Sequence, residues 1–238
     1  LEGAGIVLAV GDGVEGFTEG DAVLGAAARG EGTFADHALL SAPKSVAKPE
    51  EVSFPDAAVL PVAGAVAYDV VHQADLGPGG TLVVLGAGGG VGLMAVQAAR
   101  AGGLRVIGVA SDAKRGLVES AGAEFITSGD GAAERVRELA PDGADLVVDL
   151  VGGQALRDIA PAVKRPAQII TTVDPVTAEQ LGGSALRRTA GALEAVTELV
   201  RQRVVDPHVR RRFSLSDAHE AMAIVEAGHA AGKVVIEP

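Results

Sequence analysis

The sequence predicts an α/β fold: a doubly wound parallel sheet accompanied by a smaller, mostly β region. Two observations predict the sheet. Between residues 81 and 173, short β-branched runs alternate with helical stretches at the spacing of right-handed βαβ units. The runs, such as "TLVVL" (81–85) and "RVIGVA" (105–110), are continuously apolar, as expected when helices cover both faces of a sheet. A third observation predicts the β region: ahead of this rhythm lie short strand-like segments separated by glycine-rich turns.

In chain order, "GIVLAV" (5–10) is an expected strand and "GDGVEGFTEGD" (11–21) an acidic turn region. "AVLG" (22–25) and "FADHALL" (34–40) are further short strands. The segment 49–76 turns helical, with Pro55 and Pro61 near helix starts. The alternating region follows, with strands at 81–85, 105–110, 124–127, 144–152 and 168–173. Its helices are expected at 91–102, 113–122, 132–140 and 154–163. A longer helix at 188–205 and a strand or bridge at 209–215 come next. A helix at 216–228, with Ser216 or Asp217 as N-cap, leads to a strand at 232–237.

The 238 residues carry a net charge of −11, contain no cysteine, and are 48% hydrophobic but only 3% aromatic. That length permits an ample core, which must be built from Val, Leu, Ile and Ala. The acidic balance speaks against a nucleic-acid partner, which needs a basic face. Without cysteine there is neither a disulfide framework nor a thiolate zinc site. The longest apolar stretch, "AAVLPVAGAVAY" (57–68), is too short to span a bilayer and contains Pro61. With no signal peptide at the start, a soluble cytoplasmic protein without a membrane partner is expected. Residue 1 is Leu, not Met, so a processed product or a fragment is expected as well.

Directly after strand 81–85 comes "GAGGGVG" (86–92). At a strand-to-helix junction, backbone N–H groups and the helix dipole form an anion site, and glycines let a pyrophosphate approach. The register is Ala87-x-Gly89-x-x-Gly92 rather than a strict G-x-G-x-x-G. Ala87, Gly88, Gly89, Gly90, Val91 and Gly92 are therefore candidate cofactor-binding residues. The alternative is a glycine turn needed only for close helix–strand packing. An NAD site would place an acid about 20 residues beyond the glycine loop, on the ribose 2′-OH. Ala110 stands there, followed by Ser111, Lys114 and Arg115. A hydroxyl and two cations suit a 2′-phosphate, which predicts NADP(H) in preference to NAD. Asp112 complicates this, because it would repel the phosphate or contact a ribose. A solvated helix start is the alternative for Lys114 and Arg115.

Several stretches together resemble the medium-chain dehydrogenase/reductase superfamily, in its zinc-free quinone oxidoreductase branch. They are "EGAGIVLAVGDGVEGFTEGDAV" (2–23), "LPVAGAVAYDVV" (60–71), "GAGGGVGLMAVQAARAGG" (86–103), "ADLVVDLVGG" (144–153) and "AHEAMAIVEAGHAAGKVVI" (218–236). The resemblance implies a partial GroES-like catalytic domain from 1–54 and 207–238, and a Rossmann domain over 55–206. The cleft between them would hold the cofactor. Zinc-dependent relatives carry a His-Glu pair before the first strand; here Leu1 takes the place of His, beside Glu2. The histidines, His37, His72, His208, His219 and His229, lack metal spacing, so no metal is expected. The resemblance thus implies zinc-independent, NADPH-dependent reduction of a small-molecule quinone or α,β-unsaturated carbonyl.

Site residues carry over unevenly. Val66 stands where the family usually has Thr near the nicotinamide. Tyr68, the only tyrosine, is a candidate polar group of the cleft, with a structural role as the alternative. Gly152, Thr171 and Thr172 fall where the family lines the cofactor. Asp149 is expected to cap a strand end, and Asp21 to serve a turn. Family members carry further residues ahead of the stretch matching Glu2, which contribute to the substrate pocket. Their absence implies a fragment or a loss of part of the active site. It leaves two other functions open: a non-catalytic NADP(H)-binding protein or subunit, and an enoyl-reductase module cut from a multidomain synthase. A homodimer is implied by resemblance alone.

Overall fold

The computed structural model describes residues 1–228 and 230–238; His229 lies outside the described residues. The chain opens with β1 (Glu2–Ile6), β2 (Ala22–Ala27) and β3 (Leu40–Ala47), a three-stranded antiparallel sheet in the order β1-β2-β3. Helix α1 (Phe54–Ala57) starts at Ser53, whose hydroxyl accepts the Asp56 N–H at 3.2 Å, with Pro55 in its first turn. A π-helical turn (Leu60–Gly64) carries Pro61 at its start and leads into α2 (Ala65–His72).

The alternating region follows. Strand β4 (Thr81–Leu85) leads to α3 (Gly90–Ala101), and β5 (Arg105–Ala110) to α4 (Arg115–Ser120). Strand β6 (Glu124–Thr127) leads to α5 (Ala132–Leu139), and β7 (Leu146–Asp149) to α6 (Gly153–Ile159). Then come β8 (Ile169–Thr171), α7 (Pro175–Gln180) and the two-residue β9 (Ser184–Ala185). Helix α8 (Ala192–Arg201) precedes β10 (Val209–Ser214), α9 (Ala218–Glu226) and β11 (Lys233–Glu237). Strands β10 and β11 pair in parallel.

The chain divides into two units, Leu1–Ala65 with Ala190–Pro238, and Val66–Thr189. The second unit is a six-stranded sheet in the order β6-β5-β4-β7-β8-β9, with every pair parallel. This is the Rossmann strand order, and it reverses direction at β4. Alternation along β4 sends Val83 and Leu85 into one apolar layer with Ile107, Val109, Val136, Val147 and Leu156. Leu82 and Val84 are equally buried on the other face. Burying each such side chain contributes about 1.5–3 kcal/mol, which holds the carboxyl ends of the strands in register. Among the described residues, no helix is long and apolar enough to cross a membrane.

Several elements differ from expectation. The first strand occupies Glu2–Ile6, not 5–10; Leu8 and Val10 are exposed. The segment 34–39 is irregular, and strand pairing resumes only at Leu40, opposite Ala27. Phe34 and Leu39 find no covering layer there and stay exposed. Helix 188–205 shortens to α8, because Gly191 and Arg203 adopt left-handed φ angles of 85° and 59° at its two ends. Helix α7 was not expected, although Asp174 before Pro175 is an N-cap signal: the Asp174 carboxylate accepts the Thr177 N–H at 3.0 Å. Neither Ser216 nor Asp217 caps α9 with its side chain; the Ser214 hydroxyl donates to the Asp217 carboxylate instead. The segments 55–65 and 190–206 belong to the unit with the β strands. There α8 packs on the π-helical turn, and Arg201 pairs with Glu51 at 3.3 Å.

Candidate nucleotide-binding site

The site grows from the end of β4. The N–H groups of Gly86 and Ala87 both donate to the Val109 carbonyl, at 2.9 and 3.1 Å, which turns the chain over the end of β5. Gly86 adopts a φ of 89°, a conformation that favours glycine. Helix α3 then begins directly over this turn. A Cβ on Gly92 would lie 2.4 Å from the Gly86 carbonyl oxygen, so only glycine allows the helix to seat this closely. The first N–H groups of the helix face the turn without intrahelical partners, in the field of the helix dipole. This arrangement suits a pyrophosphate.

A cleft of about 320 Å³ lies over this turn. Its floor is Leu85, Gly86, Gly88, Gly89, Val109 and Ala110; Ser111, Lys114, Ser128 and Gly129 form one rim, and Val151 and Ala155 the other. Among the described residues, the lining contains one cation, Lys114, and no carboxylate. Gly88 makes room for that cation, since a Cβ there would come within 2.6 Å of the Lys114 side chain. A larger hollow of about 420 Å³ in the other unit is lined by Leu1, Phe34, His37, Leu39 and their neighbours. None of the expected site residues borders it.

Four expected site residues, Gly88, Gly89, Ser111 and Lys114, line the cleft. Ala87 is buried beneath the loop, and Gly90, Val91 and Gly92 form the first turn of α3 behind it. Arg115 does not line the cleft. Its guanidinium contacts Asp112 at 3.1 Å and lies 4.2 Å from the centre of the Phe125 ring. Gly152, Thr171 and Thr172 do not line it either, because all three are engaged with Asp149. That buried carboxylate accepts the N–H groups of Val151 and Gly152 at 3.0 and 2.8 Å, and the Thr171 hydroxyl at 2.6 Å. The Thr172 hydroxyl donates to the Asp149 carbonyl at 3.4 Å. Asp149 therefore organises the loop that presents Val151. Val66 and Tyr68 sit on α2, outside the cleft lining, and the Tyr68 ring stacks on His72 at 3.9 Å. Asp21 serves a turn, accepting from the Thr18 N–H and hydroxyl at 2.7 and 3.1 Å.

Ser128, Gly129, Val151 and Ala155 were not anticipated. A signal for the first two was available: "TSGD" (127–130) directly follows a strand, and ligands gather at the carboxyl ends of parallel strands. Nearby, the carboxyl group of Asp112 is held below its usual range by the Thr127 hydroxyl, and next by Arg115. Asp174 is likewise lowered by the N–H groups of Gly153 and Thr177.

Fold and cleft together define the class: an α/β protein of Rossmann type with a glycine turn and a helix start that could hold a dinucleotide. A family profile described as "Zinc-binding dehydrogenase" matches residues 121–236. The chain is 31% identical over 260 residues to a chloroplast envelope quinone oxidoreductase homolog of Arabidopsis thaliana, covering 99% of this chain and 78% of that one. It is 32% identical over 246 residues to 2-methylene-furan-3-one reductase of Solanum lycopersicum, covering 99% of this chain. The chain spans 62% of that relative's length. A mycobacterial protein solved with NADPH superimposes with a TM-score of 0.86 at 26% identity, over 100% of this chain and 81% of that one. The chain belongs to the medium-chain dehydrogenase/reductase superfamily, in its zinc-free quinone oxidoreductase-like branch.

The residues do not fit a zinc ion. The chain has no cysteine, and among the described residues no three of His, Asp and Glu converge. Glu2 is engaged by backbone and lysine partners. Its carboxylate accepts the Val62 and Ala63 N–H groups at 2.7 and 3.2 Å, and pairs with Lys233 at 3.0 Å.

Proposed function

We propose that this chain is the greater part of a zinc-independent, NADPH-dependent oxidoreductase that reduces quinones or α,β-unsaturated carbonyls by hydride transfer. The observation that carries the reading is the cleft rim: Ser111, Lys114 and Ser128 follow the ends of β5 and β6, and among the described residues no carboxylate lines the cleft. A cation and two hydroxyls match a 2′-phosphate, whereas a ribose diol calls for an acid. The printed names of the plant relatives and the NADPH complex of the mycobacterial protein support the same reading.

Gly88, Gly89 and the first turn of α3 would hold the pyrophosphate, and the Ser111–Lys114 rim the adenosine end. Val151 would supply an apolar wall. When bound, NADPH supplies the hydride. Quinones and enones are already electrophilic, so a protein without a Lewis acid contributes mainly position and exclusion of water. The GroES-like assignment of the β strands and a homodimer complete the proposal. A cytoplasmic location is inferred from the acidic, cysteine-free composition.

The test is NADPH oxidation with a simple quinone and a simple enone, alongside NADPH titration. Turnover with either acceptor is expected of the full-length protein. Saturable binding without turnover would replace the enzyme by a nucleotide-binding subunit. Lys114→Ala is expected to weaken NADPH about tenfold more than NADH, as loss of one charge-assisted contact implies. Light scattering on the purified protein tests the dimer.

A further inference from the structure

The polar rim of the cleft is made by two separate loops. Ser111 and Lys114 follow β5, and Ser128 and Gly129 follow β6. Asp112, on the first loop, and Arg115, at the start of α4, both reach across to β6. The Asp112 Oδ1 accepts the Thr127 hydroxyl at 2.7 Å, and the Arg115 guanidinium lies 4.2 Å from the centre of the Phe125 ring. Phe125 and Thr127 are two residues apart on one strand, so they share a face of the sheet. Asp112 and Arg115 also contact each other at 3.1 Å. The four side chains thus form a closed bracket, one residue away from both Ser111 and Ser128.

Charge is balanced inside the bracket. Asp112 would oppose a phosphate at this rim, but Arg115 lies against it; Arg115 is also within 3.7 Å of Glu119. We propose that Asp112 is a positioning and specificity-determining residue: it clamps the two rim loops together through Thr127 and holds Arg115 on β6, away from the bound dinucleotide. The inference rests on the dinucleotide reading above. On this account Arg115 acts by cancelling Asp112 rather than by touching the 2′-phosphate.

The test is a double-mutant cycle read as the ratio of NADH to NADPH dissociation constants. Nicotinamide fluorescence suits the measurement, because the chain has no tryptophan and one tyrosine. Asp112→Asn keeps an acceptor for Thr127 and removes the charge. It is expected to raise the preference for NADPH about three- to fivefold at low salt, and less at high salt. Arg115→Ala uncovers Asp112 and should lower the preference by a similar factor. The double variant should return close to the wild-type ratio. A double variant as poor as Arg115→Ala alone would mean that Arg115 grips the phosphate directly, and would overturn the proposal. Thr127→Val leaves the charges and cuts the clamp, so both dinucleotides should weaken by the same factor, with Thr127→Ser restoring them. Unchanged affinity in Thr127→Val overturns the clamp. A wild-type protein that binds neither dinucleotide overturns the parent reading, and the proposal with it.

Discussion

The carboxylate of Asp149 accepts the hydroxyl of Thr171 at 2.6 Å, and both residues are fully buried at the adjacent carboxyl ends of β7 and β8. Thr171 Oγ1 in turn accepts the N–H groups of Val173 and Asp174, at 3.2 and 3.0 Å. One hydroxyl therefore joins two strand ends and the loop entering α7. Thr171→Val keeps the shape and deletes that oxygen. One buried acceptor and two N–H groups lose their partner, which should cost about 1–3 kcal/mol. Urea denaturation measures it, and an unchanged midpoint would show that water replaces the hydroxyl.

Glu2 ties the first strand to the π-helical turn and to Lys233. Glu2→Ala strands the Val62 and Ala63 N–H groups and leaves Lys233 without its acceptor. A loss of about 1–3 kcal/mol is expected in thermal or chemical unfolding. Added zinc should leave the melting temperature of the wild type unmoved. A zinc-dependent rise would contradict a purely structural role for Glu2.

Two glycines should respond in opposite directions to alanine. Gly92→Ala puts a methyl group 2.4 Å from the Gly86 carbonyl oxygen and within 2.8 Å of the Ala87 backbone. Stability should fall by more than about 2 kcal/mol and NADPH binding should weaken severely. Gly116→Ala, in α4, meets nothing within 4 Å. It should stabilise by about 0.5–1 kcal/mol, because alanine loses less conformational freedom in a helix. A Gly92→Ala protein with normal stability and binding would show that the close helix–turn contact does not shape the site.

His208 makes stability depend on pH near neutrality. It is buried at a φ of 60°, and burial, followed by the Arg210 charge, lowers its pKa below the ordinary 6.5. The unfolded chain therefore binds a proton that the folded chain resists. This contribution is complete above pH 6.5 and is lost as the pH falls through the folded value. The lowered carboxylates, Asp112, Asp145 and Asp174 from 3.8 and Glu51, Glu124 and Glu198 from 4.5, act in a separate window below those ordinary values. Melting temperatures at pH 7.5 and 5.5 should differ in the wild type. They should differ less in His208→Asn, since Asn tolerates the left-handed backbone and does not titrate. Equal slopes would assign the pH dependence elsewhere.

The strand–helix rhythm from 81 to 173 was legible because its signals are local: apolar runs for doubly covered strands, periodic helices and glycine punctuation. The glycine turn and the cation at Lys114 were legible for the same reason. The placement of Arg115 was not, because Phe125 meets it only when β6 packs beside β5, and the local pairing with Asp112 holds it there. Strand β9 escaped because two residues carry no pattern of their own; pairing with β8 defines it. The sequence alone determined the parallel sheet, the glycine turn at the end of β4 and, through the absence of cysteine, the lack of thiolate ligands. Tertiary structure decided which side chains line the cleft. Hydrogen bonds and ion pairs are short-range, and their partners here come from strands brought together only by folding.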